Sequence, residues 1–216
     1  MKSNSIKAYV LNIVLKSLLT ATLVASASTA SAATLFQDDF TRANNNTVGN
    51  GWSELSDNAN DVAIVGNRVR LRDNLPGSPD GAIGSSVIDA TGYENITVSF
   101  TWQSLNPNEG NDLLRLSYGL DPAPALTNEA AWNQVFQVND AGTTVTNSSV
   151  TVGALDNSEF SLMFWTVLNG NGNTNEGFFL DNVVVTGDLI PAVPLPAGAP
   201  LLLLGLGGFA ALRRRK

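Results

Sequence analysis

Ile96-Thr97-Val98-Ser99-Phe100-Thr101-Trp102 alternates strictly between apolar and polar side chains, with four apolar residues on one face. Successive side chains of a strand point to opposite faces, so this period of two describes a half-buried β-strand. The neighbouring segments read the same way. Ala63-Ile64-Val65 and Arg68-Val69-Arg70-Leu71-Arg72 flank Gly66-Asn67, the turn chemistry of a tight hairpin. Residues 113–120, 135–138 and 145–152 supply further strands. Residues 160–168 and 178–186 are apolar on both faces, as central sandwich strands would be. The Gly- and Asn-rich stretch between them, 169–177, is expected to be a hairpin tip. Residues 127–134 are the one helix-like piece. Short strands punctuated by Gly, Asn and Pro, without an internal repeat, predict an all-β chain with a single jelly-roll β-sandwich over residues 33–187.

Charge and composition narrow what such a domain can do. Between residues 33 and 187 the cations are Arg42, Arg68, Arg70, Arg72 and Arg115, set against 18 of the chain's 19 carboxylates, a net of −13. A domain this acidic repels nucleic acid and anionic lipid, which excludes both as primary partners. There is no cysteine, so an exported domain must rest on its core rather than on disulfides. There is no histidine either, which removes Ser-His-Asp and Cys-His chemistry and the usual zinc and copper sites. What remains is carboxylate chemistry and hard, oxygen-binding ions such as calcium. No strand carries closely spaced acids. Glu54-x-x-Asp57 and Asp57-x-x-x-Asp61 lie in a loop, so the expected catalytic set is none. The oxygen-rich stretches 57–61 and 106–112 do not have EF-hand spacing and read as turns.

Both ends read as an address. Lys2, Lys7 and Lys16 precede an apolar core at 17–24 and an A-x-A site at Ala30-Ser31-Ala32, with Ala25-Ser26-Ala27 as a second possible site. This is the layout of a signal peptide over residues 1–32. After a linker at 188–192, Val193, Pro194, Leu195, Pro196 and Ala197 lead into an apolar segment at 197–212. Arg213, Arg214, Arg215 and Lys216 follow as a basic stop. At about 1.5 Å per residue the apolar segment reaches roughly 24 Å, short of the ~30 Å hydrocarbon core, a gap that snorkelling arginines close. Such a segment spans the membrane with its basic tail in the cytoplasm.

Residues 193–216 resemble the VPLPA variant of the PEP-CTERM sorting signals of Gram-negative bacteria. The resemblance implies an exosortase-type membrane protease as partner, a transient membrane stage through the C-terminal helix, and delivery to the cell surface or extracellular matrix. A plain single-pass anchor is the alternative. Asp38-Asp39-Phe40, Gly51-Trp52 and Phe179-Leu180-Asp181-Asn182-Val183-Val184-Val185 bracket a domain that resembles the carbohydrate-binding-module and galactose-binding-like jelly rolls. That second resemblance implies the fold more than a ligand, and a structural calcium on Asp181, with Asp38 or Asp39 as partners. An extracellular polysaccharide, such as an acidic one, is the partner expected from Arg68, Arg70 and Arg72.

Candidate ligand contacts follow from the residues themselves. Arg68, Arg70 and Arg72 fall on one face of their strand and form a cationic comb that suits carboxylate or sulfate groups, or else pairs with acids across the sheet. Trp102 and Trp165 read as core, whereas Trp52 and Trp132 sit next to polar loops and are the candidate aromatic platforms. The expected function is an exported surface or matrix protein with glycan binding. The alternatives are a structural or adhesive matrix protein without sugar specificity and a glycoside-active enzyme.

Overall fold

The computed structural model describes residues 31–57, 59–72, 80–105, 112–139, 144–168 and 176–191. Residues 1–30 and 192–216, which carry most of the signal-peptide reading and all of the sorting and transmembrane readings, lie outside the described residues.

The described chain is a β-sandwich. Its strands are β1 (Ala33–Asp38), β2 (Ser53–Leu55), β3 (Val62–Ile64), β4 (Val69–Arg72), β5 (Ala82–Gly84), β6 (Ile88–Asp89), β7 (Tyr93–Ser104), β8 (Leu113–Leu120), β9 (Asn133–Asn139), β10 (Thr146–Thr151), β11 (Glu159–Val167) and β12 (Gly177–Leu189). They pair antiparallel in two six-stranded sheets. The first runs β10-β7-β12-β4-β3, with β1 also beside β12; the second runs β2-β5-β11-β8-β9, with β6 also beside β11. The first and last strands of the domain therefore pair directly, Asp38 opposite Val183.

The alternation at residues 96–102 is realised inside β7. Ile96, Val98, Phe100 and Trp102 are buried, while Thr97, Ser99 and Thr101 remain partly exposed. Phe100 reaches across the sandwich to Phe164 of β11 and Phe136 of β9, with ring centroids 5.0 and 5.1 Å away. These edge-on contacts join the two sheets into one core. The expected hairpin also forms. Gly66 and Asn67 both take left-handed φ values, 59° and 60°, which a tight two-residue turn requires. The Val65 N–H donates to the Arg68 carbonyl across it at 2.8 Å.

Three local expectations are corrected. Residues 178–186 do not have two buried faces. Phe178, Leu180, Val183 and Val185 are buried, but Phe179, Asp181 and Val184 are only partly covered. β11 and β12 belong to different sheets and so are not the two arms of the expected hairpin, and residues 169–175, its expected tip, lie outside the described residues. The helix-like piece at 127–134 contains a single 3-10 turn, Glu129–Ala131, and then enters β9. Strand geometry there lets Phe136 face the core while Trp132 covers the second sheet.

That covering explains the asymmetry between β11 and β12. Residues 121–132 lie over the outer face of the second sheet, where Trp132, Met163, Trp165 and Ala82 form a separate apolar cluster with Leu126 and Ala123 against it. Glycines make the close approach possible. A Cβ on Gly119 would stand 2.4 Å from Pro124 Cδ, and one on Gly84 would stand 2.6 Å from Leu126 Cδ2. β11 is thus buried on both faces, and the outer face of the first sheet has no such cover among the described residues.

Candidate functional site

Asp38 ends β1 and is 4 % exposed. Its Oδ1 accepts from Phe40 N at 2.8 Å and Arg42 Nη1 at 3.0 Å; its Oδ2 accepts from Arg42 Nη2 at 2.9 Å, Trp52 Nε1 at 2.8 Å and Asn50 Nδ2 at 3.1 Å. Burial alone would raise this carboxyl, but the donors from Arg42, Phe40, Asn50 and Trp52 outweigh it and hold the group below its ordinary range. The bond to Phe40 N closes a turn in which Phe40 takes a φ of 50° and drives its fully buried ring into the core.

This arrangement does not fit a calcium ligand. A carboxylate offers about four lone-pair sites, and five donors already use those of Asp38. Arg42 supplies the positive charge that a metal would bring. Asp39 is exposed and accepts from Thr41 N, and Asp181 accepts from Asn182 N. Among the described residues no group of three or more acidic, histidine or cysteine side chains is placed to hold a metal. The depression of about 500 Å³ lined by Gln37, Asp38, Asp39, Thr41, Arg42 and Asn50 is wide and open. Within it Arg42 and Asn50 both donate to Asp38.

The arginine comb is half dismantled. Arg70 and Arg72 do share a face, alternating with buried Val69 and Leu71. Both turn back on the chain, however: Arg70 Nη2 and Arg72 Nε donate to the Asn60 carbonyl at 2.9 and 3.1 Å. Burial, with Arg72 beside it, lowers the Arg70 guanidinium from its ordinary value despite Asp61 nearby. Arg68 does something else. Its guanidinium lies 3.9 Å from the ring centroid of Phe179, and its Nη1 donates to Gln103 Oε1 at 2.6 Å.

Arg68 thereby rims a groove on the open face of the first sheet. Strand pairing sets Phe179 opposite Gln103 and Asp181 opposite Thr101. With Arg68, Trp102 and Val145 these residues enclose about 110 Å³. A shallower depression of about 310 Å³ adjoins it at Thr101, lined by Ser99, Asn147, Ser148, Ser149 and Asn182 among others. Hydroxyl and amide side chains run along its floor in bonded pairs, Ser99 with Ser149 at 3.1 Å and Thr101 with Asn147 at 2.8 Å, and Thr97 with Thr151 at 2.9 Å continues the row along β7 and β10. Burial pushes the Asp181 carboxyl above its ordinary range. The Asn182 N–H and Arg68 oppose this, and the charges of Asp39 and Asp38 add to it.

The fold is shared with an adhesin domain. The K3 cleaved adhesin domain of Lys-gingipain from Porphyromonas gingivalis w83 superposes with a TM-score of 0.51 and 14 % identity, over 71 % of this chain and 99 % of that one. Two carbohydrate-binding modules match less well. The C-terminal CBM6 of a laminarinase from Zobellia galactanivorans has a TM-score of 0.35 and 13 % identity, over 59 % of this chain and 89 % of its own. The xylan-binding module CBM15 has a TM-score of 0.40 and 11 % identity, over 76 % and 99 %. No protein-family model matches the chain. No curated protein matches it in sequence. At these identities the likeness to the adhesin domain is one of fold.

The two tryptophans expected to form platforms are both buried, each 7 % exposed. Trp52 packs against Phe36, Phe40 and Phe164, and gives its N–H to Asp38. Trp132 caps the second sheet and gives its N–H to the Ala125 carbonyl. The groove is bordered instead, together with the buried Trp102, by Phe179, hidden in the sequence inside an apolar run. Its position between Phe178 and Leu180, which face the core, was the available signal. Glu54, read in the sequence as part of a loop, lies in β2 and accepts from Val48 N–H.

Proposed function

We propose that this chain is an exported surface or matrix protein whose jelly-roll sandwich binds glycan along the open face of the first sheet. The observation that carries the reading is the Arg68–Phe179 pair, set beside Gln103, Asp181 and Thr101 and continuous with a floor of hydroxyl and amide groups. Sugar rings offer apolar C–H faces and dense hydroxyls, which suits one aromatic or guanidinium plane flanked by a few fixed polar groups. Only Arg68 and Asp181 bring charge to the groove, so a neutral polysaccharide fits better than the acidic one the comb suggested. The reading assigns no catalysis.

The address completes it. An exosortase-type protease would release the domain near Val193 to Ala197 after a membrane stage through the C-terminal helix, passing it to the surface or matrix of a Gram-negative cell. Retention of the chain on the producer's own extracellular polysaccharide tests the binding. Loss of retention in Phe179→Ala and Arg68→Ala is expected, and equal retention by both variants would remove the groove from the reading. Mass spectrometry of the surface-released protein tests the address, which fails if residues 198–216 are still attached. The shallow, open form of the groove favours one second reading, an adhesive matrix protein that holds its neighbours without sugar specificity. Equal retention on unrelated polysaccharides would support it.

A further inference from the structure

We propose that two copies of this chain pair edge to edge through β10, continuing the first sheet across a two-fold axis. β10 ends that sheet. One of its edges pairs with β7 in six unbroken register positions, Thr146 opposite Trp102 through Thr151 opposite Thr97. Among the described residues no strand pairs with its other edge. A free edge presents a row of backbone donors and acceptors, and proteins blunt such edges with short strands, bulges, proline or charge.

Among the described residues the other five strands that pair on one side only are blunted in these ways. β1 carries Asp38 and shifts register between Thr34 and Phe36, and β6 is two residues long. β3 and β2 are three residues each. Asn45 also bridges to Ile64 of β3 through backbone bonds of 3.2 and 2.7 Å. β9 is longer, but its pairing with β8 breaks register between Leu116 and Ser117, and a bulge twists an edge away from a partner. β10 has none of these features. It reads Thr-Asn-Ser-Ser-Val-Thr, without charge, proline or register shift.

Charge selects the occupant. With 18 carboxylates against five arginines, two copies of the domain repel each other over most of their surface. From Ala141 to Leu155 the chain carries no charged residue at all. A charged partner would find nothing to pair with on this strand, whereas a second copy meets it without repulsion. Opposed residues in an antiparallel pair share a face, so the exposed side chains of Asn147 and Ser149 would meet their counterparts. An axis at Ser148 sets Asn147 opposite Ser149 of the second copy, and an axis at Ser149 sets Ser149 opposite itself. One consequence rests on the glycan reading: the two open faces would lie side by side, and a repetitive polysaccharide could engage both at once with a gain in avidity.

The mass of the full chain, purified in a mild non-ionic detergent, tests the pairing by sedimentation and light scattering without any glycan present, so its outcome is independent of the binding reading. A dimer is expected. Asn147→Lys/Ser149→Lys and Asn147→Glu/Ser149→Glu each place like charges opposite one another in either register, and each is expected to weaken self-association at least about tenfold. An equimolar mixture of the two is expected to regain a mixed dimer, which also shows that both variants fold. A monomeric wild type, a lysine variant that stays dimeric, or a mixture that stays monomeric would each overturn the proposal.

Discussion

Replacing Asp38 with alanine removes the acceptor for five hydrogen bonds at once, two of them from Arg42. Removing one partner of a buried, hydrogen-bonded ion pair costs about 3–5 kcal/mol, because the other charge is left unpaired. Arg42 is 26 % exposed, so its guanidinium can rehydrate, which moves the cost toward the lower end. Two effects work against that relief. The Trp52 N–H loses its acceptor inside the core, and Phe40 loses the turn that supports its left-handed backbone. A net loss of about 3–4 kcal/mol corresponds to a fall in melting temperature of about 10 °C for a domain of this size. Asp38→Asn preserves the shape and one acceptor, and separates charge from packing. The folded-state carboxyl lies below its ordinary value of 3.8. Its contribution is therefore present above the unfolded value and is lost as pH falls through the folded value. The acid limb of the stability curve should flatten in Asp38→Asn. Thermal melts of the wild type and both variants between neutral and strongly acidic pH measure all of this. An alanine variant melting within about 2 °C of wild type, equivalent to roughly 0.5–1 kcal/mol, would refute the view of Asp38 as the organising centre of this end of the sandwich.

The other predictions follow from the same geometry. Because Arg42 already neutralises Asp38, chelator should leave the melting temperature unmoved; a clear drop that added calcium restores would show that a metal does bind. Phe179→Ala should lower retention on the producer's polysaccharide about tenfold, the loss of roughly 1.4 kcal/mol of contact, while Trp52 fluorescence and the melt stay near wild type. A variant that binds normally would exclude the ring as a contact. Gly119→Ala forces a methyl against the rigid Pro124 ring, and overpacking of this kind costs about 1–3 kcal/mol. Its signature should be a lower melting temperature with Trp132 and Trp165 more exposed to quencher, and an unchanged melt would mean that residues 121–132 do not seat there.

Periodicity and turn chemistry carried the sandwich in the sequence, because both are local. The alternation of Ile96 through Trp102 and the Gly66-Asn67 turn depend on backbone geometry over a few residues, and each formed as read. Charge was equally legible: the excess of carboxylates and the absence of histidine and cysteine are properties of composition alone. What lies open and what is covered was not legible. Trp132 is buried because residues 121–132 settle over the second sheet, where Gly84 and Gly119 leave room. Phe179 stays near the surface because nothing comparable covers the first sheet among the described residues. The hydrogen-bonded hub at Asp38 was not legible because folding has to bring Trp52 and Asn50 to it alongside Arg42. Of the comb, Arg70 and Arg72 share a face of β4 and both donate to Asn60, while Arg68 precedes the strand and lies against Phe179. A strand's alternation states which side chains share a face, and only the packing of distant segments decides whether that face meets water, a loop or a ligand.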